Sequence, residues 1–189
     1  MTRLASVSAV GRGATDLLLS AVAERLQAEG VRVGGALRPQ KPQDEASHCN
    51  SDLLLLPDGP IARITQDLGA GSTACRMDSG ALEEAAATAT ARLVSGGVDL
   101  IVLNKFGISE AEGRGFRVLI AEALSRDIPV VVGVSDAHRA AFERFADGMA
   151  TALSDSESAV VTWCLAAVAN SVESSGEEPT CRQQERLEK

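Results

Sequence analysis

Tyrosine is absent from this sequence, and one tryptophan and four phenylalanines bring aromatics to only 3% of 189 residues. A core must therefore be built from Ala, Val, Leu and Ile, as where helices pack on a parallel sheet buried on both faces. Cationic side chains are also scarce: 18 Lys and Arg stand against 26 Asp and Glu, for a formal net charge of −8. That balance excludes nucleic-acid binding through a general basic field and leaves room only for a local basic pocket. No apolar stretch approaches the about 20 residues that a membrane span needs. The first ten residues, with one Arg and a serine-interrupted apolar run, do not read as a signal peptide. The expected compartment is the cytoplasm. No C-x-x-C pair joins Cys49, Cys75, Cys164 and Cys181, so free thiols are expected. His48 and Cys49 are adjacent and cannot complete a tetrahedral site alone, so no metal centre is expected.

What is present is periodic. Leu4–Val10 reads as a short strand, and Thr15–Glu29 as a helix with Leu18, Val22 and Leu26 on one side and Gly30 as its stop. Val31–Leu37 is a second strand, so strand, glycine turn, helix and strand open a parallel α/β sheet. Asp52–Leu56 and Ile61–Gln66 flank Pro57-Asp58-Gly59-Pro60, a strong hairpin signal. A helix is expected over Ser79–Ser95, with Glu83 and Glu84 favouring its N-terminus. The apolar run ending at Leu103 is the clearest strand. A helix from Ser109 to about Arg126 follows, opened by a capping box of Ser109 and Glu112. Ile128–Val134 is the next buried strand, and Asp136 is placed to cap a helix bearing Ala141, Phe142 and Phe145. Ala150–Leu153 is a last strand. Ser154 and Glu157 stand at capping-box spacing before a final helix that carries Val160, Val161, Cys164 and Leu165, with Trp163 as a core anchor. The expected organisation is one α/β domain over residues 1–170, a three-layer sandwich with a mainly parallel sheet. A β-hairpin insertion falls at about 51–66, and residues 171–189 read as a mobile charged tail.

The stretch Ser8-Ala9-Val10-Gly11-Arg12-Gly13-Ala14-Thr15 can be laid against the phosphate-loop pattern G-x-x-x-x-G-K-[ST]. It keeps Gly13 and Thr15, with Ser8 for the first glycine and Ala14 for the lysine. Such a turn aims backbone N–H groups and a helix N-terminus at an anion. Without the lysine it should hold a triphosphate poorly. Gly11, Arg12, Gly13, Ala14, Thr15 and Asp16 are the resulting ligand candidates; the plain alternative is a tight turn whose glycines permit positive φ. Lys105, at the C-terminal end of a central strand, points into the same crevice or else pairs with Glu110 or Glu112. Asn104 beside it is a further candidate. Arg117 follows Arg114 at i, i+3 and either reaches the ligand or joins a solvated face. Cys75 and Arg76 precede a helix, a place that favours a reactive thiol, against the plainer reading of a structural cysteine. Arg63 and Gln66 either close over a ligand or face solvent, and His138 reads as a surface residue.

Glycine loop, Pro-Asp-Gly hairpin, helix, the strand Asp99–Leu103 and a polar box at its end resemble the small P-loop nucleoside-triphosphatases first described from thermophiles. In that family the box reads roughly Asp-Glu-x-Gly, the Asp serving Mg²⁺ and the Glu serving the attacking water. Here Asn104, Lys105 and Gly107 stand at those positions. The phrase Asn104-Lys105-Phe106-Gly107, followed by Glu110-Ala111-Glu112-Gly113-Arg114-Gly115, is similar to an uncharacterised bacterial domain family over about residues 4–165. Genes of that family lie beside molybdenum-transport and molybdoenzyme genes.

The resemblance implies a P-loop NTPase-like fold with degenerate motifs. Phosphoryl transfer needs positioned positive charge, a metal held by a hydroxyl and an Asp, and a residue orienting water. Ala14, Asn104 and Lys105 alter all three. The expectation is a binding protein without catalytic residues, holding an oxyanion such as molybdate, or a nucleotide. Two alternatives stay open. One is a Mg²⁺-dependent nucleoside-triphosphatase with relocated residues: Lys105 on the phosphates and Glu110, Glu112 or Asp16 on metal. The other is an assembly or regulatory partner of molybdenum-transport or molybdoenzyme proteins. A homo-oligomer is compatible with each.

Overall fold

Leu100 and Val102 face one side of their strand and Ile101 and Leu103 the other, and none is more than 1% exposed. A strand buried on both sides needs helices on both. The computed structural model, which describes residues 2–39, 52–66 and 77–175, has that arrangement. β1 (Leu4–Val7) leads through the glycine turn into α1 (Ala14–Ala28) and β2 (Val33–Leu37). Next come β3 (Leu53–Leu56), β4 (Ile61–Ala62), α2 (Ser79–Val94) and β5 (Leu100–Phe106). A short α3 (Ile108–Ala111) and α4 (Arg117–Ser125) precede β6 (Val130–Val134) and α5 (Asp136–Ala146). β7 (Ala150–Leu153) and α6 (Glu157–Ser175) complete the described elements.

The strand order is β4-β3-β2-β5-β6-β1-β7. β2, β5, β6, β1 and β7 are parallel, while the hairpin β3–β4 extends the β2 edge in antiparallel fashion. The expected hairpin is therefore part of the sheet. α1 and α6 cover one face through Leu19, Val22, Leu26, Val161 and Cys164. α2, α4 and α5 cover the other through Leu82, Leu93, Leu119, Ile120 and Phe142. This is the three-layer sandwich expected. Its glycine turn between β1 and α1, with β6 lying between β1 and β5, makes it P-loop NTPase-like. The few aromatics are concentrated: the Phe106 ring lies 5.4 Å from that of Phe142 and 5.3 Å from that of Phe145, where the end of β5 meets α5. Such pairs add about 0.5–1.5 kcal/mol each beyond their burial.

Several local expectations shift. The single helix from Ser109 to Arg126 is two helices, broken where Gly113 (φ 89°) and Gly115 (φ 59°) adopt left-handed backbone. Its cap moves two residues back: Glu110 Oε2 accepts from the Gly107 N–H at 2.9 Å, while Glu112 pairs with Arg114. Asp78 caps α2, accepting from Ala81 N at 3.0 Å; Glu83 instead accepts from Gly115 N at 2.6 Å. Ser135, not Asp136, precedes α5, and Asp136 pairs with Arg139 at 3.2 Å. α6 opens with Val160 N donating to Ser156 O at 3.0 Å, while Glu157 reaches Arg25 at 3.6 Å. The helix continues through Ser175, beyond the boundary expected at residue 170, and residues 176–189 lie outside the described ones.

Among the described residues no helix is long and apolar enough to cross a membrane. Cys164 is completely buried in α6, and desolvation pushes its thiol up to about 12. An alkylating reagent is expected to leave Cys164 unmodified in the folded protein and to label it after unfolding, as read by peptide mass mapping. Rapid labelling under native conditions would contradict that placement.

Candidate functional site

Parallel strands bring their C-terminal ends to one edge, which is where α/β sheets place ligands. At this edge Gly13 (φ 75°) stands just before α1 and offers no side chain to cap it. Ala14 N donates to Gly11 O at 3.2 Å and Leu17 N to Gly13 O at 3.0 Å. The N–H groups of Thr15 and Asp16, between them, have no protein acceptor among the described residues. With the helix dipole behind them, they form an anion-attracting end. The Thr15 hydroxyl accepts from Ala9 N at 2.9 Å, which pins the loop and leaves the hydroxyl proton free to donate.

A crevice of about 540 Å³ lies over this turn, bounded in part by Ser8, Gly11, Gly13, Ser135 and Arg139. Thr15, Asp16, Asn104 and Lys105 line it as well. Six of the sequence candidates thus meet in one place. Arg12 is exposed and is not part of the wall, and Ala14 sits within the first turn of α1. Asp16 pairs with Arg38 at 3.3 Å. The alternative weighed for Lys105, an ion pair with Glu110 or Glu112, is absent among the described residues: Glu110 is turned inward and Glu112 faces Arg114. Arg117 is drawn away from the crevice, because its guanidinium lies 4.8 Å from the Phe145 ring centroid and donates to Glu110 O at 3.4 Å. Arg63 and Gln66 are exposed. His48, Cys49, Cys75 and Arg76 lie outside the described residues.

The end of β5 is where the two sides of the crevice are set. Its register against β6 slips between Leu103 and Phe106, and Gly133 of β6 makes room for the slip. A Cβ at Gly133 would lie 2.1 Å from Asn104 O and 3.0 Å from Thr15 Cγ2. The slip leaves Lys105 exposed and Asn104 half-buried, with its Oδ1 out of solvent and without a hydrogen-bond partner. An unmet buried acceptor costs about 1–3 kcal/mol, so this oxygen favours an incoming donor.

On the hairpin side a second cavity of about 180 Å³ opens between β2, β5, α2 and α3. Ala36, Leu53, Ile64, Leu82, Leu103 and Phe116 form its apolar wall, while Arg38, Glu110 and His138 contribute polar atoms. Arg92 of α2 fixes the hairpin beside it by donating to Leu56 O at 2.8 Å. Asp16, Asn104 and Lys105 belong to both cavities.

Arg38, His138 and Arg139 are site residues that sequence reasoning misses, and Glu110, considered there only as a partner of Lys105 or a metal ligand, instead closes a turn in the cavity wall. Arg38 directly follows β2 and so obeys the same strand-end rule that singled out Lys105. His138, expected at the surface, is half-buried one turn into α5, its Nδ1 3.1 Å from Ser135 Oγ. No group of three or more His, Cys, Asp or Glu among the described residues is arranged to hold a metal ion.

A family model described as "Protein of unknown function (DUF2478)" matches residues 4–163. Among curated proteins the chain is similar to the molybdenum import ATP-binding protein ModC 2 of Bradyrhizobium diazoefficiens, at 33% identity over 148 residues. Those residues are 78% of this chain but only 16% of that protein, so the chain spans a small part of its relative's length. No solved structure matches.

Proposed function

The chain belongs to the DUF2478 family, and from that premise we propose that it binds a small oxyanion, or the phosphate of a small ligand, at the turn after β1 without hydrolysing it. One arrangement carries the reading: the uncapped N-terminus of α1 faces Lys105 across a single crevice, while Ala14 stands where a loop lysine would be. Helix dipole and ammonium together suit one or two negative charges. Turnover of a triphosphate also needs a metal and an oriented water. The carboxylates available for a relocated metal site are already engaged: Asp16 by Arg38, Glu110 by two backbone N–H groups, and Glu112 by Arg114. Molybdate, tungstate, sulfate and nucleotides are the ligands to test, molybdate first because of the import protein that the chain resembles.

Lys105→Ala is expected to weaken anion binding by about 10- to 100-fold, the loss of one charge-assisted hydrogen bond. Calorimetry against molybdate, tungstate, sulfate, ATP and GTP, with phosphate release followed alongside, checks this. Steady Mg²⁺-dependent turnover that disappears in Lys105→Ala would refute the non-hydrolysing reading and favour a relocated triphosphatase.

A second reading is favoured by the proportions of the match: in the relative, the similar stretch is joined to a much longer protein named for molybdenum import and ATP binding. On this reading the chain is a cytoplasmic assembly or regulatory partner of such proteins or of molybdoenzymes. A pull-down of those partners with the full chain, and with residues 176–189 removed so that α6 is left whole, tests it; capture of none of them leaves the small-ligand reading alone.

A further inference from the structure

We infer that the ligand is an organic anion, its charged end at the glycine turn and one ring-sized group in the hairpin-side cavity; this rests on the anion binding proposed above. The two spaces are neighbours in one continuous wall, since Asp16, Asn104 and Lys105 line both. A bare inorganic oxyanion is strongly hydrated and gains nothing from the apolar side of this chamber, Ala36, Leu53, Ile64, Leu82 and Phe116, even with Arg38 and Lys105 elsewhere in its lining. An apolar group does gain there, because each methylene or ring carbon leaves water for close-packed side chains.

Size narrows the class. A cavity of about 150 Å³ lined by apolar side chains accommodates benzene, and this one measures about 180 Å³. A space of that size holds one six-membered ring, and anything larger would extend into the neighbouring crevice. The junction is polar: Asp16, Asn104 and Lys105 are shared by both linings, and Asn104 Oδ1 lies out of solvent without a hydrogen-bond partner. Glu110, by contrast, has both carboxylate oxygens filled by the N–H groups of Gly107 and Phe116 and does not ask for a cation. The ligand class is therefore a monocyclic organic phosphate or comparable oxyanion.

Titration of the full chain with inorganic phosphate and with phenyl phosphate tests the inference. Phenyl phosphate is expected to bind about tenfold or more tightly, the gain from burying a ring. Nuclear Overhauser contacts should join its ring protons to the methyl groups of Leu53, Ile64 and Leu82. Ile108 lines the cavity yet is 58% exposed, so Ile108→Trp can close the rim without disturbing the core. That variant should lose the preference for phenyl phosphate and keep its affinity for inorganic phosphate. Equal affinities for the two ligands, or a preference that persists in Ile108→Trp, would overturn the inference while leaving the anion site standing. Failure to bind either ligand would remove the anion site itself, and the inference with it.

Discussion

Gly35→Ala is expected to remove about 4 kcal/mol of folding stability, read from urea unfolding. Gly35 lies inside β2 with φ +117°, where an L side chain is strained. A Cβ there would fall 2.1 Å from the carbonyl oxygen of Val102 and 3.0 Å from its carbon, both in the backbone of β5. Backbone cannot swing aside as a long side chain can. Nor can β2 retreat, because Gly35 is paired with Val102 on one side and with Leu56 on the other. Against a total stability of about 5–15 kcal/mol, such a loss leaves the fold marginal. Gly148→Ala separates the two causes. Gly148 has φ +77° with nothing within 4 Å of the added Cβ, so only the backbone strain applies, about 1–2 kcal/mol. Equal losses in the two variants would mean that the approach of β2 to β5 is not what requires a glycine. The close approach also bears on the site, since β2 leads directly into Arg38 and carries Ala36 in the cavity wall.

The sandwich was legible because its strands are short, apolar and separated by glycine or proline turns, and because Pro57-Asp58-Gly59-Pro60 marks a hairpin unambiguously. The break between α3 and α4 was not read. Phe116, Leu119, Ile120 and Ala123 continue an apolar helical face, and that pattern concealed two glycines in three residues, Gly113 and Gly115, both at positive φ. The caps were misplaced for a related reason. Ser109 and Glu112 have the residues and spacing of a capping box, whereas Gly107 has no side chain and only Glu110's half of the box can form; burial nonetheless selects the second, since Glu112 is in solvent while Glu110 is 5% exposed. At the crevice, the rule that ligands gather at strand ends located the turn, Asn104 and Lys105. It gave no means of assigning Arg117, whose direction follows from the helix break and the position of Phe145 on a distant helix. The half-burial of His138 is likewise a product of packing across the sheet edge. A sequence period reports which face of an element is covered, not what covers it.

Glu110→Ala should cost about 4 kcal/mol and should also dismantle the apolar cavity, because this carboxylate closes the turn between α3 and α4. Its Oε2 accepts from Gly107 N at 2.9 Å and its Oε1 from Phe116 N at 3.0 Å, both out of solvent. Removing the side chain strands two buried donors, at about 1–3 kcal/mol each, and leaves a void. The neighbouring glycine is fitted to the same carboxylate: a Cβ on Gly115 would lie 2.4 Å from Glu110 Oε1. Glu110→Gln preserves volume but offers one acceptor and one donor to two N–H groups, so it restores one bond and opposes the other. The expected order of stability is wild type, then Gln, then Ala, with the Gln variant losing about 2 kcal/mol. Equal losses for Ala and Gln would show that the negative charge, rather than the number of acceptors, holds the turn. Because Gly107, Ile108, Ser109 and Phe116 all line the cavity, loosening this turn acts on the ring-sized chamber and not on α1. Below its unfolding temperature, Glu110→Ala should therefore bind inorganic phosphate as the parent does and no longer prefer phenyl phosphate. A parallel loss of both would place the turn after β1 under the control of Glu110 as well, and the two cavities would then have to be treated as one cooperative site.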